Sequence, residues 1–384
     1  MPNWRAMSGE KNWEGLLSPL DEGLRNYIIH YGEMAQATYD AYDSDESSKT
    51  GGNSKYPMDK LFSDVGLAKG RANKKYTITK FLYATASVPL FDKDTNWMGY
   101  VAVSTDDGKR ELGRRDIVIA WRGTSEEIEW VTDASFFLQP APIIFGDVHD
   151  DKPEVHRGFY LIYTSNNPES TFNKTSARDQ VLEEVTRLLE IYKNEEVSIT
   201  VTGHSLGAAL ATISAIDIAK NMTSRSPVTA FAFASPRVGN SEVRDSALSI
   251  NNLRILRIEN KPDVVPDVPN LGYANVGQVL IMDTRKSMFL KHNLFDFFSS
   301  VGMAHNLEVY LHGVSGTVDG GEGFKKKVDR DLSLINKYDD YLKTEYGIPG
   351  SWWNKTDKAG MVQQADGSWK LIKINDKTII ISRL

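Results

Sequence analysis

Val197-Ser198-Ile199-Thr200-Val201-Thr202-Gly203-His204-Ser205-Leu206-Gly207-Ala208-Ala209-Leu210-Ala211-Thr212 decides how this chain is read. Its first six residues are β-branched or small, the composition of a short buried strand. From Ala208 to Ala219 the chain reads as a buried helix with small residues on its packing face. Ser205 therefore lies on a strand-to-helix turn. Glycine is needed at 203 and 207 because the turn is tight and the helix passes close to the strand. That geometry lifts the hydroxyl above the sheet, and the free N–H groups of the helix N-terminus face the reacting carbon. A lone G-x-S-x-G is a weak signal. Flanked by a strand and an Ala-rich helix, it points strongly to a serine nucleophile.

Outward from this stretch, strands alternate with helices. Tyr76 to Ala84, Trp97 to Ser104, Asp116 to Trp121, Val228 to Ala234 and Leu253 to Ile258 read as strands, and Asp106-Asp107-Gly108 as a turn. A helix is expected near 177–193. The pattern implies an α/β fold with a mostly parallel central sheet and helices on both faces. Residues 20–43 carry Leu20, Leu24, Tyr27, Ile28, Tyr31, Met34 and Ala35 at helical spacing, and 44–56 reads as a loop. The tail, 323–384, is expected to hold a charged helix near 326–344 and to pack on the catalytic core with its Trp352-Trp353 stretch. The reading is one domain over 1–384, with an N-terminal helical region over about 1–60.

Composition narrows the function. The 384 residues are 41% hydrophobic and 25% charged, with no cysteine and a net charge of -6. Disulfides and thiolate metal sites are excluded, and a reducing compartment is the easy reading. The acidic balance argues against nucleic acid as a partner. No run approaches the roughly 18 apolar residues of a spanning helix, and Met1-Pro2-Asn3-Trp4-Arg5 lacks an apolar h-region, so no signal peptide is expected.

A serine hydroxyl needs a base, and the base needs an orienting acid. On a strand–turn–helix scaffold of this type the order is serine, acid, histidine. Of the seven histidines, 30, 149, 156, 204, 292, 305 and 312, only His292, His305 and His312 lie well downstream of Ser205. His305 opens an apolar helical pattern and sits at its loop end, where it reaches the rim. His312 is two turns further along. His305 is preferred, then His312, then His292. His204 is read as packing beneath the turn. For the acid, the stiff loop Glu259 to Pro269 offers Asp263 and Asp267, and Asp263 is nearer the strand end. The oxyanion donors fall to the N–H of Leu206 and to Thr124, after the strand that ends at Trp121. Beyond Thr124, Ile128, Trp130 and Val131, with Phe136-Phe137-Leu138 and Ala141 to Phe145, place much apolar surface beside that loop. This suits a lid, or core filling, or both.

These residues resemble lipase class 3, an α/β-hydrolase group, in Trp121-Arg122-Gly123-Thr124, Val155-His156-Arg157-Gly158-Phe159, Gly203 to Gly207 and Asp263-Val264-Val265-Pro266. The likeness extends to the plant class II phospholipase A1 family through Leu20-Asp21, Tyr27 to Ala37, Asn96 to Tyr100, Leu112 to Asp116, Ala232 to Gly239, His305-Asn306-Leu307-Glu308 and Pro349 to Trp353. It covers about residues 10–375. The resemblance implies an α/β-hydrolase fold and a cytosolic acylhydrolase cleaving the sn-1 ester of glycerolipids at a membrane or lipid-droplet surface. It needs no cofactor. Family members that act in plastids carry an N-terminal extension, which this chain is not expected to have. Ser205, Asp263 and His305 would be nucleophile, acid and base. Thr124 and Leu206 would hold the oxyanion, the segment after Thr124 would be the lid, and His156 would be structural. Alternatives are a di- or monoacylglycerol or galactolipid lipase on the same site, and a catalytically silent lipase-like binding protein.

Overall fold

The computed structural model describes residues 3–45, 47–67, 75–85, 95–124, 137–146, 152–222, 225–291, 297–375 and 378–381. Seven strands build the central sheet: β1 (Tyr76–Ala84), β2 (Asn96–Ser104), β3 (Arg115–Trp121), β4 (Val197–His204), β5 (Val228–Phe233), β6 (Leu253–Asn260) and β7 (Gln278–Met282). They stand side by side in that order. β1, β2 and β3 pair antiparallel, and from β3 to β7 every pairing is parallel. This is the mostly parallel sheet of an α/β-hydrolase.

The principal helices are α1 (Glu22–Ala41), α2 (Asp106–Leu112), α3 (Ala177–Ile191), α4 (Leu206–Asn221) and α5 (Leu307–Gly316). They cover both faces because each parallel strand is apolar on both sides. β3 shows the division. Ile117, Ile119 and Trp121 point into a core shared with α3 and α4 through Val181, Val185, Leu210 and Ile213. Val118 and Ala120 point into the opposite core, with Ile28 and Met34 of α1 and Leu307 and Leu311 of α5. A third, smaller core holds the C-terminal region through Val309, Ile335, Leu342, Trp352 and Trp353.

Departures from the sequence expectations include three elements. Asp106-Asp107-Gly108 opens α2 and is not a turn. Thr105 Oγ1 accepts from Gly108 N–H and Gly113 closes the helix at φ +78°, so good caps outweigh the Asp-Gly turn signal. The helix expected near 326–344 is absent. Only a short turn, Leu332–Asn336, forms there. The Asn336 amide accepts from Tyr341 N–H and Leu342 N–H and donates to the Ile348 carbonyl. Side-chain bonds of this kind compete with helical ones. β7 was not foreseen. Its Val279 and Ile281 stay partly exposed at the sheet edge, so it lacks the fully apolar signature of a central strand.

Candidate active site

The parallel strands deliver their C-terminal ends to one rim. β3 and β4 are in register with Trp121 opposite Gly203, and β4 and β5 with His204 opposite Phe233. Ser205 follows β4 directly and precedes α4, with φ +57° and ψ −126°. This sparsely populated conformation costs about 1–3 kcal/mol. The turn survives because its surroundings admit nothing larger. A Cβ on Gly203 would lie 2.2 Å from the Gly207 carbonyl oxygen, and one on Gly207 would lie 2.4 Å from that of Trp121. Ser205 N–H donates to the Phe233 carbonyl at 3.0 Å, anchoring the turn to β5.

Ser205, His305 and Asp263 converge. Ser205 Oγ is 2.9 Å from His305 Nε2, and His305 Nδ1 is 2.8 Å from Asp263 Oδ2. A carboxylate only accepts, so Nδ1 carries the proton and Nε2 accepts from the serine hydroxyl. All three side chains are shielded from solvent, with Ser205 2% exposed. Asp263 sits three residues beyond the end of β6 on the loop. Its Oδ1 accepts from Val265 N–H at 3.0 Å, and its Oδ2 accepts also from the Tyr310 hydroxyl at 2.6 Å. Burial and then the Asp263 charge hold the Tyr310 hydroxyl well above its ordinary pKa, so it stays a donor. It accepts in turn from Asn260 N–H at 3.2 Å, while Asn260 Nδ2 donates to the Ala304 carbonyl at 2.9 Å. The end of β6 thereby grips the residue before the base.

His305 ends the helix Phe297–His305, and Asn306 caps α5 by accepting from Glu308 and Val309 N–H. Beneath it lies His204, 3% exposed, its Nε2 2.6 Å from the His305 carbonyl and its Nδ1 2.8 Å from the Tyr39 hydroxyl. The expected packing role of His204 is thus joined by a polar one.

Thr124 follows Gly123 at the end of β3, and Arg122 shapes this loop. Its guanidinium donates to the Trp97 carbonyl at 3.0 Å and the Gly123 carbonyl at 2.9 Å, and stacks 3.6 Å over the Tyr42 ring. A Cβ on Gly123 would lie 2.0 Å from the Tyr39 hydroxyl and 2.7 Å from the His204 carbonyl oxygen. The loop therefore runs against the serine turn. Leu206 is the first residue of α4, where N–H groups have no intrahelical acceptor. The end of β3 and the start of α4 therefore meet beside Ser205, with Gly207 packed against the Trp121 and Arg122 backbone.

The other candidates go elsewhere. His312 is 2.7 Å from Ser287 Oγ, and burial, then Arg330 and Lys326, push its pKa down to about 3. Asp267 is exposed beside Arg237. His156 accepts from Gly158 N–H at 3.1 Å, capping the helix Arg157–Thr164, and burial pushes its pKa down to about 4. His292 and the lid residues Ile128, Trp130 and Val131 lie outside the described residues. Of the apolar stretch after them, Ile144 and Phe145 are buried while Phe137 and Ile143 are exposed, so it divides between core and surface. A cavity of about 570 Å³ behind α5 touches none of the three residues. Of the charges that line it, Lys337 pairs with Asp40 and Arg330 with Glu308.

Sequence reasoning missed Tyr39, Asn260 and Tyr310. The one available signal was Tyr310 inside an apolar helix face, since a buried tyrosine hydroxyl needs a partner.

The family model for lipase (class 3) matches residues 118–273. The chain is 48% identical over 394 residues to phospholipase A1-IIgamma of Arabidopsis thaliana, covering 96% of this chain and 92% of that one. It is 47% identical over 387 residues to phospholipase A1-II 1 of Oryza sativa subsp. indica, covering 97% and 96%. Phospholipase A1-IIbeta of Arabidopsis thaliana is 44% identical over 390 residues.

Proposed function

The chain belongs to the class 3 lipases, within the phospholipase A1-II family, and on that premise we propose that it is a serine acylhydrolase cleaving the sn-1 ester of phospholipids. The carrying observation is the hydrogen-bond chain from Ser205 Oγ through His305 to Asp263 Oδ2, at 2.9 and 2.8 Å.

In this reading His305 Nε2 takes the Ser205 proton as Oγ bonds to the ester carbonyl carbon. Asp263 stabilises the imidazolium. Leu206 N–H and Thr124 hold the oxyanion, each donor being worth about 3–4 kcal/mol in serine enzymes. The C–O bond to glycerol breaks, and the 2-acyl lysophospholipid leaves with the proton from His305. Water then attacks the acyl-enzyme with His305 again as base, releasing the fatty acid. The segment after Thr124, with Ile128, Trp130 and Val131, serves as the cover over the site. Its apolar sequence supports this. The substrate is drawn from a membrane surface, and no described helix is long and apolar enough to cross one. A chain without cysteine supports action in the cytosol. The bond from Tyr39 to His204 ties the N-terminal region to the core, and the bond from Lys337 to Asp40 ties the C-terminal tail to the N-terminal region, which supports reading both as parts of one domain.

The test is hydrolysis of phosphatidylcholine carrying distinguishable sn-1 and sn-2 chains, beside diacylglycerol, monoacylglycerol and galactolipid. Release of the sn-1 chain from phosphatidylcholine is expected. Release from the neutral lipids or galactolipid alone would overturn the phospholipid assignment and keep the serine chemistry.

A further inference from the structure

We propose that His204 is a positioning residue: a neutral imidazole strut that fixes the backbone of His305 by donating from Nε2 to its carbonyl and accepting at Nδ1 from the Tyr39 hydroxyl. The inference rests on the reading of Ser205, His305 and Asp263 as a hydrolytic centre.

The geometry leaves one assignment of protons. His204 Nε2 faces the His305 carbonyl oxygen at 2.6 Å, and a carbonyl only accepts. Nε2 therefore carries the hydrogen and Nδ1 is the acceptor for Tyr39, 2.8 Å away. The His305 ring is held at Nδ1 by Asp263, but a ring can swing on its backbone. The second hold, at the carbonyl, removes that freedom. His204 is covalently next to Ser205, so the strut ties base and nucleophile together through the backbone. Tyr39 reaches the same point from α1 and also approaches the His204 carbonyl at 3.4 Å.

The strut must stay uncharged. The His204 and His305 rings are 4.6 Å apart between centroids. When His305 takes the serine proton, a second imidazolium at that distance would oppose it. Burial, and then the neighbouring His305, keep the His204 pKa well below its ordinary value, so only His305 is charged during turnover. A lysine or arginine could supply the donor to the carbonyl but would bring the opposing charge.

The experiment compares wild type with His204→Leu, His204→Gln and Tyr39→Phe. Each is checked for folding by thermal melt, then assayed for fluorophosphonate labelling of Ser205 and for hydrolysis of a soluble p-nitrophenyl ester. His204→Leu keeps the buried bulk and loses both bonds. Its kcat and labelling rate should fall about 10–100-fold, as small misplacements of a catalytic group do, while KM stays within about twofold. His204→Gln, which keeps an amide N–H toward the carbonyl, should recover most of that loss, and Tyr39→Phe should lose a few-fold in kcat. An unchanged kcat in folded His204→Leu overturns the proposal, as does a glutamine variant no better than leucine. Should His204→Leu fail to fold, Tyr39→Phe decides, and an unchanged kcat there overturns it. Nitrogen NMR of wild type gives a readout free of activity: His204 should be the neutral Nε2–H tautomer, and an Nδ1–H tautomer overturns the strut. Wild type that fails to label at Ser205 overturns the hydrolase reading, not this one.

Discussion

The Tyr310 hydroxyl lies 2.6 Å from Asp263 Oδ2, the same oxygen that receives His305 Nδ1–H at 2.8 Å. Two donors, one at the end of the helix Phe297–His305 and one in the first turns of α5, thus share one carboxylate oxygen. Hydrogen bonds to a charged group contribute about 1.5–3 kcal/mol. Tyr310→Phe removes one of them and leaves the Asn260 N–H without its acceptor. We expect the urea midpoint to fall by an amount equivalent to that range, and kcat for phospholipid to fall by about tenfold as the carboxylate loosens. An unchanged midpoint and an unchanged kcat would show that the bond carries no energy.

Ser205 adopts φ +57°, where an L side chain is strained and glycine is not. Ser205→Ala and Ser205→Gly both remove the hydroxyl, and both should lose activity by up to about 10⁶-fold, as serine enzymes do when their nucleophile is deleted. Their stabilities should differ in an unusual direction. At ordinary positions alanine is the more stabilising of the two. Here the glycine variant should be more stable by about 1 kcal/mol. Chemical denaturation of the pair decides it, and an alanine variant equal or superior in stability would mean that the turn relaxes around the nucleophile.

Arg122 holds the Thr124 loop with two carbonyl bonds and a ring contact. Lysine keeps the charge but not the planar fork. Arg122→Lys should lower kcat by about tenfold or more, approaching the 10²–10³ that deletion of an oxyanion donor costs. KM for a soluble ester should change less. A variant with wild-type kcat and only a lower melting temperature would separate Arg122 from the oxyanion loop.

His156 is pushed down to about 4 and His312 to about 3, both mainly by burial. Folded, they refuse protons that the unfolded chain takes up below about pH 6.5. The folded state therefore has their full contribution above that pH and loses it as pH falls toward 4. Each group steepens the decline by at most about 1.4 kcal/mol per pH unit. His156→Asn retains a side chain able to cap the helix and removes one titrating group. Urea midpoints from about pH 7 to about pH 4 should fall less steeply in the variant. Parallel curves would refute the assignment.

Much of the site was legible because its pieces are local. Ser205 lies inside a strand–turn–helix whose glycines and β-branched run are contiguous. Asp263 follows a strand by three residues of loop start, and His305 opens a helix pattern. Tyr39 and Asn260 were not legible because their partners are far along the chain and their types are ordinary in helices and strand ends. The 326–344 region misled for a related reason: its charge spacing suits a helix, yet Asn336 finds carbonyl and amide partners that appear only after folding. The α2 error was of another kind, since Thr105 and Gly113 carry local capping signals that the Asp-Gly pair overshadowed.

The strut through His204 spans the chain in two long steps, with Tyr39 and His204 165 residues apart and His204 and His305 101 apart. During synthesis the base emerges last of the three, and the nucleophile turn waits, with its histidine unsupported, for the final third of the polypeptide. Such distant closures come late in folding. Lipid-cleaving capacity is thus withheld from nascent and partly unfolded chains.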